Sequence, residues 1–90
     1  PAAVTLGTGA LLSADYVGVL VQAVGSCDNA DLGYGEWSID DGTGSLRVDD
    51  LGFDFAAQVV DETYQVTAPL FYSYSNYKLV PRSAADVVAQ

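Results

Sequence analysis

The sequence predicts an all-β domain, and three observations favour this class. Half of the 90 residues are hydrophobic and only 17% are charged, which is the composition of a globular chain. Residues 64–74 alternate between two sets of side chains with the period of two expected of a β-strand. Turn-forming segments rich in Asp and Gly separate several such runs. The length allows one domain with a single modest core.

The first half of the chain predicts three strands. Residues 16–25 form a nearly continuous β-branched run, typical of a central or curved barrel strand. Residues 26–35 carry turn signals throughout and predict a loop. Residues 36–40 and 45–49 predict a hairpin, because the Asp-Gly-Thr-Gly segment between them tolerates the positive φ angles of hairpin turns.

Side-chain alternation assigns the faces of this hairpin. Trp37 and Ile39 share one face, on which Leu46 and Val48 of the return strand meet them. Glu36, Ser38 and Asp40 lie on the other face and are expected to point towards water or cations.

The second half predicts two strands and two helical segments. Residues 50–60 lose the strict alternation and predict a short helix or compact loop. Residues 64–74 are the longest predicted strand, and a turn at Ser75-Asn76 leads to a last strand over 77–80. Ser83 followed by Asp86 predicts an N-capped terminal helix that continues through Val88.

Five strands with a helical segment between the third and the fourth match the order of the OB fold, a small Greek-key barrel. The segments "YVGVLVQAVG", "EWSIDDGTGSLRVDD" and "YQVTAPLFYSYSNYKLVPRSAADVV" also resemble the OB-type domains that accompany bacterial extracellular nucleases. The resemblance covers about residues 16–88, and 75–87 is its most specific part. It implies an OB-like barrel, which we expect over 15–90, and an extracellular or cell-surface setting. The apolar segment over 1–14 lies outside the resemblance.

The resemblance does not carry an activity to this chain. In such proteins the nuclease activity belongs to a separate catalytic domain with His and acidic metal ligands, and nothing of that domain is present. The chain also has Ala68-Pro69 where these domains often have Gly.

The charge balance argues against a polyanionic partner. Twelve acidic residues oppose Arg47, Lys78 and Arg82, which gives a net charge of −9 without any His. Phosphate backbones are bound through several Lys and Arg side chains, so nucleic acid is disfavoured as a partner. An acidic surface instead suits a secreted protein or an assembly bridged by cations.

Catalysis and membrane insertion are not predicted either. Without His, and with Cys27 as the single cysteine, the chain has no evident nucleophile and base pair, so we expect no enzyme. Cys27 cannot form an intrachain disulfide, and no run approaches the roughly 18 apolar residues of a membrane span. The chain begins at Pro1 rather than Met, which is expected of a processed or excised chain.

Two ligand sites are conceivable from the residue types. Asp28, Asp31 and Glu36 lie in or beside a Gly-rich segment and offer hard oxygen ligands for a weak Ca²⁺ site, although their spacing is not that of an EF-hand. Solvated turn acids are the competing interpretation, and no other cofactor is expected.

A second conceivable site is an aromatic ligand face. On an OB barrel its members could stack on bases or sugars. The alternative places the aromatics in the core, and a salt bridge from Arg82 to Asp86 is the default for that cation. The members of this face are Trp37, Tyr72, Tyr74, Tyr77, Lys78 and Arg82.

Residues 1–14 contain no charged side chain, and the first one in the sequence is Asp15. An apolar end should bury its surface on its own domain or on a neighbour. An extended segment such as residues 2–8 could add a strand to an open barrel edge, in the same chain or in the next copy. The candidate self-association residues are Ala2, Val4, Leu6, Leu11, Leu12 and Phe71.

The sequence therefore predicts a non-enzymatic extracellular structural subunit that self-assembles into a fibre or surface assembly through its N-terminal strand. Head-to-tail strand addition propagates into a filament unless the rotation closes a ring. The alternative is an accessory OB module of a secreted nuclease that binds nucleic acid or carbohydrate on its aromatic face.

Overall fold

The computed structural model describes residues 3–33, 36–49, 58–73 and 76–90. Within these ranges it contains seven β-strands and two single turns of 3-10 helix. The strands are β1 (Val4–Thr5), β2 (Leu20–Gly33), β3 (Glu36–Asp40), β4 (Ser45–Val48), β5 (Thr63–Ser73), β6 (Asn76–Leu79) and β7 (Val87–Ala89). The 3-10 turns span Ala14–Tyr16 and Ala84–Asp86. None of the described residues belongs to a helix long and apolar enough to cross a membrane.

Five of the strands close into a barrel. β2 pairs with β3, and β3 pairs with β4, both antiparallel. β4 then pairs with β6 in parallel, β6 pairs with β5, and β5 returns to β2. This is the OB-like Greek-key barrel that the sequence predicts. β1 adds to β2 in parallel and β7 adds to β5, so the barrel carries two extra strands.

The barrel interior confirms the predicted alternation of side chains. Trp37 is only 1% exposed and packs edge-on against Tyr64, with 5.3 Å between the ring centroids. Ile39 lies opposite Leu46, and Trp37 opposite Val48, as the hairpin pattern predicts. Alternate residues of β5 fill the opposite wall of the core: Tyr64, Val66, Ala68 and Leu70 are all buried.

The predicted loop over 26–35 is wrong for residues 26–33, because β2 continues to Gly33, and residues 34 and 35 lie outside the described residues. Its turn-forming residues are absorbed as irregularities in the pairing with β3, which shifts register between Cys27 and Asn29 and again before Gly33. Asn29 accepts a hydrogen bond from the Asp31 amide at 3.0 Å. Asp31 accepts one from the Gly33 amide at 2.9 Å. These local bonds bulge the strand without ending it.

The predicted boundaries also change at both ends of the barrel sequence. Before β2 begins, Tyr16 ends a 3-10 turn and Val17 forms an isolated bridge with Leu70. Asn76, which was predicted to lie in a turn, belongs to β6. The predicted terminal helix is one 3-10 turn followed by β7, because the edge of β5 offers backbone partners to β-branched Val87 and Val88. Most of the predicted helical segment over 50–60, residues 50–57, lies outside the described residues, and residues 58–60 are not helical.

Gly25 allows β2 and β3 to approach closely at their crossing. A Cβ atom at this position would lie 2.9 Å from the Asp40 amide nitrogen and 3.0 Å from the Asp40 carbonyl carbon. Both neighbours are backbone atoms, so a side chain here would have to push the two strands apart.

We expect Gly25→Ala to lower the free energy of unfolding by about 1–3 kcal/mol, as overpacking of a tight contact does. The matched control is Ser26→Ala at the exposed neighbouring position, for which a change within about 0.5 kcal/mol is expected. Urea unfolding followed by circular dichroism measures both. Equal stability of the two variants would contradict the close strand crossing.

Candidate binding groove

A groove of about 550 Å³ lies on the outer face of the barrel. Ser38 of β3 and Ser45 and Arg47 of β4 line it. These residues alternate with the core residues of the same strands, so their side chains point away from the barrel interior. The sequence pattern that places Trp37 inside therefore also places Ser38 in the groove.

The walls of the groove come from both sides of this hairpin. The far end of β2 supplies Asp28, Asn29 and Leu32, and the start of β6 supplies Asn76 and Tyr77. In OB barrels the face of the second and third barrel strands, together with the adjoining loops, is where oligonucleotides and oligosaccharides bind. The groove occupies that face of this chain, since β3 and β4 are the second and third strands of its barrel.

The N-terminal segment contributes one more wall through Leu12. The lining is therefore mixed: hydroxyls, amides, one carboxylate and one guanidinium alternate with two leucines and a tyrosine. Asp28 accepts a hydrogen bond from the Ser38 hydroxyl, which fixes one polar edge. Such a mixed lining can offer a ligand both apolar contact and placed hydrogen-bonding groups.

A buried ion network adjoins the groove. Arg47 donates to Glu36 Oε1 at 2.9 Å, and Lys78 donates to Glu36 Oε2 at 2.7 Å. The Lys78 ammonium also lies 3.5 Å from Asp49 Oδ2. The parallel register of β4 and β6 places Arg47 opposite Lys78, which brings both cations to one carboxylate.

Burial and charge act in opposite directions on Lys78. Its side chain is 4% exposed, and this desolvation lowers its pKa, but the hydrogen bond to Glu36 and the two nearby carboxylates outweigh it and raise the pKa above the usual 10.5. Lys78 therefore stays charged and is occupied by carboxylates. Lys78 is therefore not available to contact a ligand on the predicted aromatic face.

Arg82 pairs with Asp86, as the spacing of four residues predicts. Its Nε lies 3.2 Å from Asp86 Oδ2, and its backbone amide donates to the same oxygen at 2.8 Å. Burial opposes ionisation of Asp86, but the hydrogen bonds and charge of Arg82 prevail and lower its pKa. Every one of the three cations in the sequence thus has a carboxylate partner.

The proposed Ca²⁺ ligands are not brought together. Asp28 bonds Ser38, Asp31 bonds the Gly33 amide, and Glu36 is held by two cations. Among residues 3–33, 36–49, 58–73 and 76–90, no three His, Cys, Asp or Glu side chains form a group that could hold a metal ion. Glu36 is 8% exposed and is paired with the Arg47 and Lys78 side chains rather than pointing towards water.

The aromatic face is divided by the structure. Trp37 lies in the core and cannot present its ring to a ligand. Tyr72 is 53% exposed, so its interpretation as a core residue is wrong, and its ring centroid lies 4.7 Å from that of Tyr77. Phe71 is 46% exposed, consistent with its outward position, and Tyr74 lies outside the described residues. Of the predicted aromatic face, Tyr77 lines the groove and Tyr72 packs against Tyr77.

The N-terminal segment docks on its own chain. Val4 pairs with Val21 and Thr5 with Gln22, and Leu11 is fully buried in the barrel core. Leu6 packs partly against the same core, whereas Val4 and Leu12 remain 43% and 41% exposed. Of the two placements that the sequence leaves open, the chain adopts the added strand in cis. Ala2 lies outside the described residues.

The acidic hairpin turn holds this segment in place. The Thr8 amide donates to Asp41 Oδ2 at 3.0 Å, and the Thr8 hydroxyl lies 3.0 Å from Asp41 Oδ1 and also contacts the Gly44 carbonyl. The Gly9 amide donates to Thr43 Oγ1 at 2.9 Å. We call this set of contacts the latch. One role of the acidic turn is therefore to bind the chain's own N-terminal segment.

Of the groove residues, the sequence analysis names Asp28 and Tyr77 as candidate ligand residues, but it does not identify most of the polar ones. Ser38, Ser45, Asn29 and Asn76 carry no motif, and Arg47 was considered only as a charge. The one available signal was their outward position on the strands of a predicted OB hairpin, since that face carries ligands in this fold.

Comparison with known proteins supports the fold. No protein-family model and no curated protein matches the sequence. Among solved structures, the chain is similar to the hypothetical protein ygiW from E. coli, with 10% identity, a TM-score of 0.67 and coverage of 100% of this chain and 91% of that one. It is also similar to OBody AM1L10 bound to hen egg-white lysozyme, with 13% identity, a TM-score of 0.70 and coverage of 100% and 95%.

A third similar structure is the Stn1-Ten1 complex of S. pombe, with 22% identity and a TM-score of 0.61 over 79% of this chain and 57% of that one. At such identities the likeness concerns the fold alone. It agrees with the OB-like barrel described above. The resemblance to domains of secreted nucleases rests on sequence segments only.

The buried ion network should contribute measurably to stability. We expect Glu36→Gln to lower the free energy of unfolding by about 2 kcal/mol or more, because Lys78 and Arg47 lose the charge that compensates their burial. Arg82→Gln is the control, since the Arg82 side chain is 60% exposed and an exposed ion pair contributes about 1 kcal/mol or less. Urea midpoints compare the two, and a larger loss for Arg82→Gln would contradict the network.

The latch should show a characteristic pH dependence. Hydrogen bonds from Thr43 and Thr8 lower the pKa of Asp41 from 3.8 to about 2. A lowered pKa means that the latch stabilises the fold above about pH 4, and this contribution is lost as the pH falls through about 2.

The destabilisation caused by Asp41→Asn should therefore be present at neutral pH and shrink as the pH falls through about 2, because the wild-type carboxyl becomes protonated over that range. Urea midpoints across this range measure it. Glu62→Gln, at an exposed carboxylate, is the control. A pH-independent difference between wild type and Asp41→Asn would rule out the charge of Asp41 as the source of the effect.

Proposed function

We propose that this chain is a non-enzymatic OB-type binding module that takes a neutral oligosaccharide in the groove over β3 and β4. The observation that carries the proposal is the position and lining of the groove: it lies on the usual ligand face of the fold, and its mixed lining includes the uncharged polar side chains of Asn29, Ser45 and Asn76. The hydroxyls of a sugar both donate and accept hydrogen bonds, which suits these amide and hydroxyl groups.

Charge supports a neutral ligand over a nucleic acid. Affinity for single-stranded nucleic acid depends on Lys and Arg side chains that neutralise phosphates. Here Arg47 and Lys78 share Glu36, and Arg82 holds Asp86. A polyanion would have to displace these carboxylates against a net charge of −9. A neutral chain of sugars meets no such opposition.

Arg47 and the tyrosine pair suit the same class of ligand. One guanidinium nitrogen of Arg47 bonds Glu36, and the side chain, which is 33% exposed, has further N–H donors for sugar oxygens. Tyr77 lines the groove, with its ring tilted by 54° against that of Tyr72, so an aromatic ring lies next to the polar groups. A sugar ring offers both kinds of surface to such a site.

We base the non-enzymatic role on the scarcity of candidate nucleophiles and bases in the sequence. The sequence contains no His, and burial raises the pKa of the Cys27 thiol, which keeps it protonated and unreactive. We place the module outside the cell or at its surface, as an accessory part of a secreted enzyme, on the strength of the acidic composition and the resemblance of residues 75–87.

Self-assembly through the N-terminal strand, which the sequence favours first, is not the function we propose for the folded monomer. The strand is already paired with β2 of its own chain, and Leu11 fills its own core. A free strand ready to join a neighbour is therefore not what the chain presents.

Blocking the groove should abolish binding without unfolding the barrel. We expect Ser45→Tyr to weaken the binding of a cello-, malto- or chitohexaose probe by about tenfold or more, because the added ring fills the groove. The matched control is Ser26→Tyr, which places the same ring at an exposed strand position outside the groove. Isothermal titration calorimetry of the wild type and both variants measures the affinities.

Two results would overturn this proposal. The first is equal saccharide affinity of Ser45→Tyr and the wild type. The second is tight binding of oligodeoxythymidine in low salt together with no binding of any of the three saccharides, which would assign the groove to nucleic acid instead.

A further inference from the structure

The N-terminal segment occupies a slot that the remainder of the chain forms by itself. The edge of β2 at Val21 and Gln22 pairs with β1, the hairpin turn over 41–44 supplies the latch, and the barrel core accommodates Leu11. The five strands β2 to β6 pair in a closed circuit without using residues 3–12. The slot is thus a property of the barrel, and any copy of residues 3–12 fits it equally well.

The connection between this segment and the barrel, the linker over residues 13–19, is exposed at its start and anchored at its end. Ala14 and Asp15 are exposed, and the 3-10 turn Ala14–Tyr16 contains no fully buried residue. Tyr16 and Val19 pack partly against the core, and Leu70 exchanges backbone hydrogen bonds with Gly18 and Val19. Residues 13–15 are therefore the hinge through which the well-docked segment can be released as a unit.

Apolar residues next to this linker remain exposed in the monomer. Leu12 precedes the linker and is 41% exposed, and Val17 within it is 44% exposed. Val17 bridges to Leu70, so Phe71, which is 46% exposed, follows directly on β5. Part of the exposed apolar surface therefore lies beside the linker, although other exposed apolar side chains, such as Val59 and Val88, lie elsewhere.

We propose that two copies of this chain exchange residues 3–12 reciprocally, each segment docking in the slot of the other copy. The occupant is fixed by complementarity: β1, the latch contacts and the buried Leu11 are the same whether the segment comes from the same chain or from a second copy. The two states differ at residues 13–15, which become extended, while Gly18 and Val19 stay hydrogen-bonded to Leu70 and leave Val17 and Phe71 exposed beside the hinge.

The exchange is reciprocal, so it gives a closed two-fold dimer rather than a filament. It also makes each groove a composite site, because Leu12 is the groove wall that the exchanged segment carries. The inference does not depend on what the groove binds. The exchange would also give the N-terminal segment the part in self-association that the sequence predicts. It is compatible with docking of the segment on its own chain in the monomer.

Shortening the linker tests the exchange in the full chain. Deletion of residues 13–15 leaves Leu12 and Tyr16 one Cα–Cα step of about 3.8 Å apart, where the intact chain has four steps. The segment can then no longer turn back onto its own slot and must dock on a second copy. We expect this variant to be a dimer of twice the monomer mass by light scattering, with the wild-type circular dichroism spectrum.

A second substitution distinguishes slot docking from general hydrophobic association. A Cβ atom at Gly9 would lie 2.2 Å from the Thr43 carbonyl oxygen, so Gly9→Ala blocks docking in cis and in trans alike. The deletion variant that also carries Gly9→Ala should be monomeric, with residues 3–12 open to proteolysis. A folded monomer for the deletion variant alone, a dimer that survives Gly9→Ala, or a ladder of larger species would each overturn the proposal.

The unmodified chain provides a test that does not depend on folding of the deletion variant. Two forms that differ in mass by a C-terminal tag are unfolded together in urea and refolded at high protein concentration. Native mass spectrometry should then show mixed dimers that dissociate slowly on dilution. Dimers that are absent at every concentration, or that exchange within the mixing time without unfolding, would contradict segment exchange.

Discussion

The structure depends on one strand, β2, which pairs with three others. Its first part lies between β1 and β5, and its second part pairs with β3. This requires the strand to bend around the barrel, and Gly25 permits the bend because no side chain separates β2 from the backbone of Asp40. Closure of the barrel, docking of the N-terminal segment and one wall of the groove all follow from this strand.

Electrostatics then decide what the outer face can bind. An acidic chain with three cations could still have concentrated those cations on its ligand face, but here each is held by a carboxylate. The Glu36 network lies beside the groove and pairs Arg47, the cation of the lining, with a carboxylate. The acidic turn at Asp41 is similarly occupied, since it binds Thr8 of the N-terminal segment. The negative charge of the chain therefore serves partly to organise its own fold.

The features that could be predicted from the sequence are local. The alternation of Trp37, Ile39, Leu46 and Val48 is sufficient to predict a hairpin with one buried face, because strand periodicity depends only on neighbouring residues. The loop prediction over 26–35 failed because Asx turns look alike in a loop and in a bulged strand, and only the partner strand distinguishes them.

The candidate site could be predicted only in part, because its contacts join distant residues. Arg47 meets Lys78 through the parallel register of β4 and β6, which no local pattern encodes. Thr8 meets Asp41 across 33 positions of sequence. The choice between cis and trans docking of the N-terminal segment was open for the same reason. The prediction that Trp37 belongs to a ligand face failed because an aromatic ring that can stack on a ligand packs equally well in a core.

The central claim is that the outer face of β3 and β4 recognises neutral sugars. The most direct measurement is a map of amide chemical-shift changes in the isotopically labelled wild-type chain on addition of each hexasaccharide and, separately, of oligodeoxythymidine. The account predicts that a saccharide shifts the amides of Ser38, Ser45, Arg47 and Asn76 and that the oligonucleotide leaves them unchanged. Shifts of these amides by the oligonucleotide alone, or saccharide shifts confined to a different face, would contradict it.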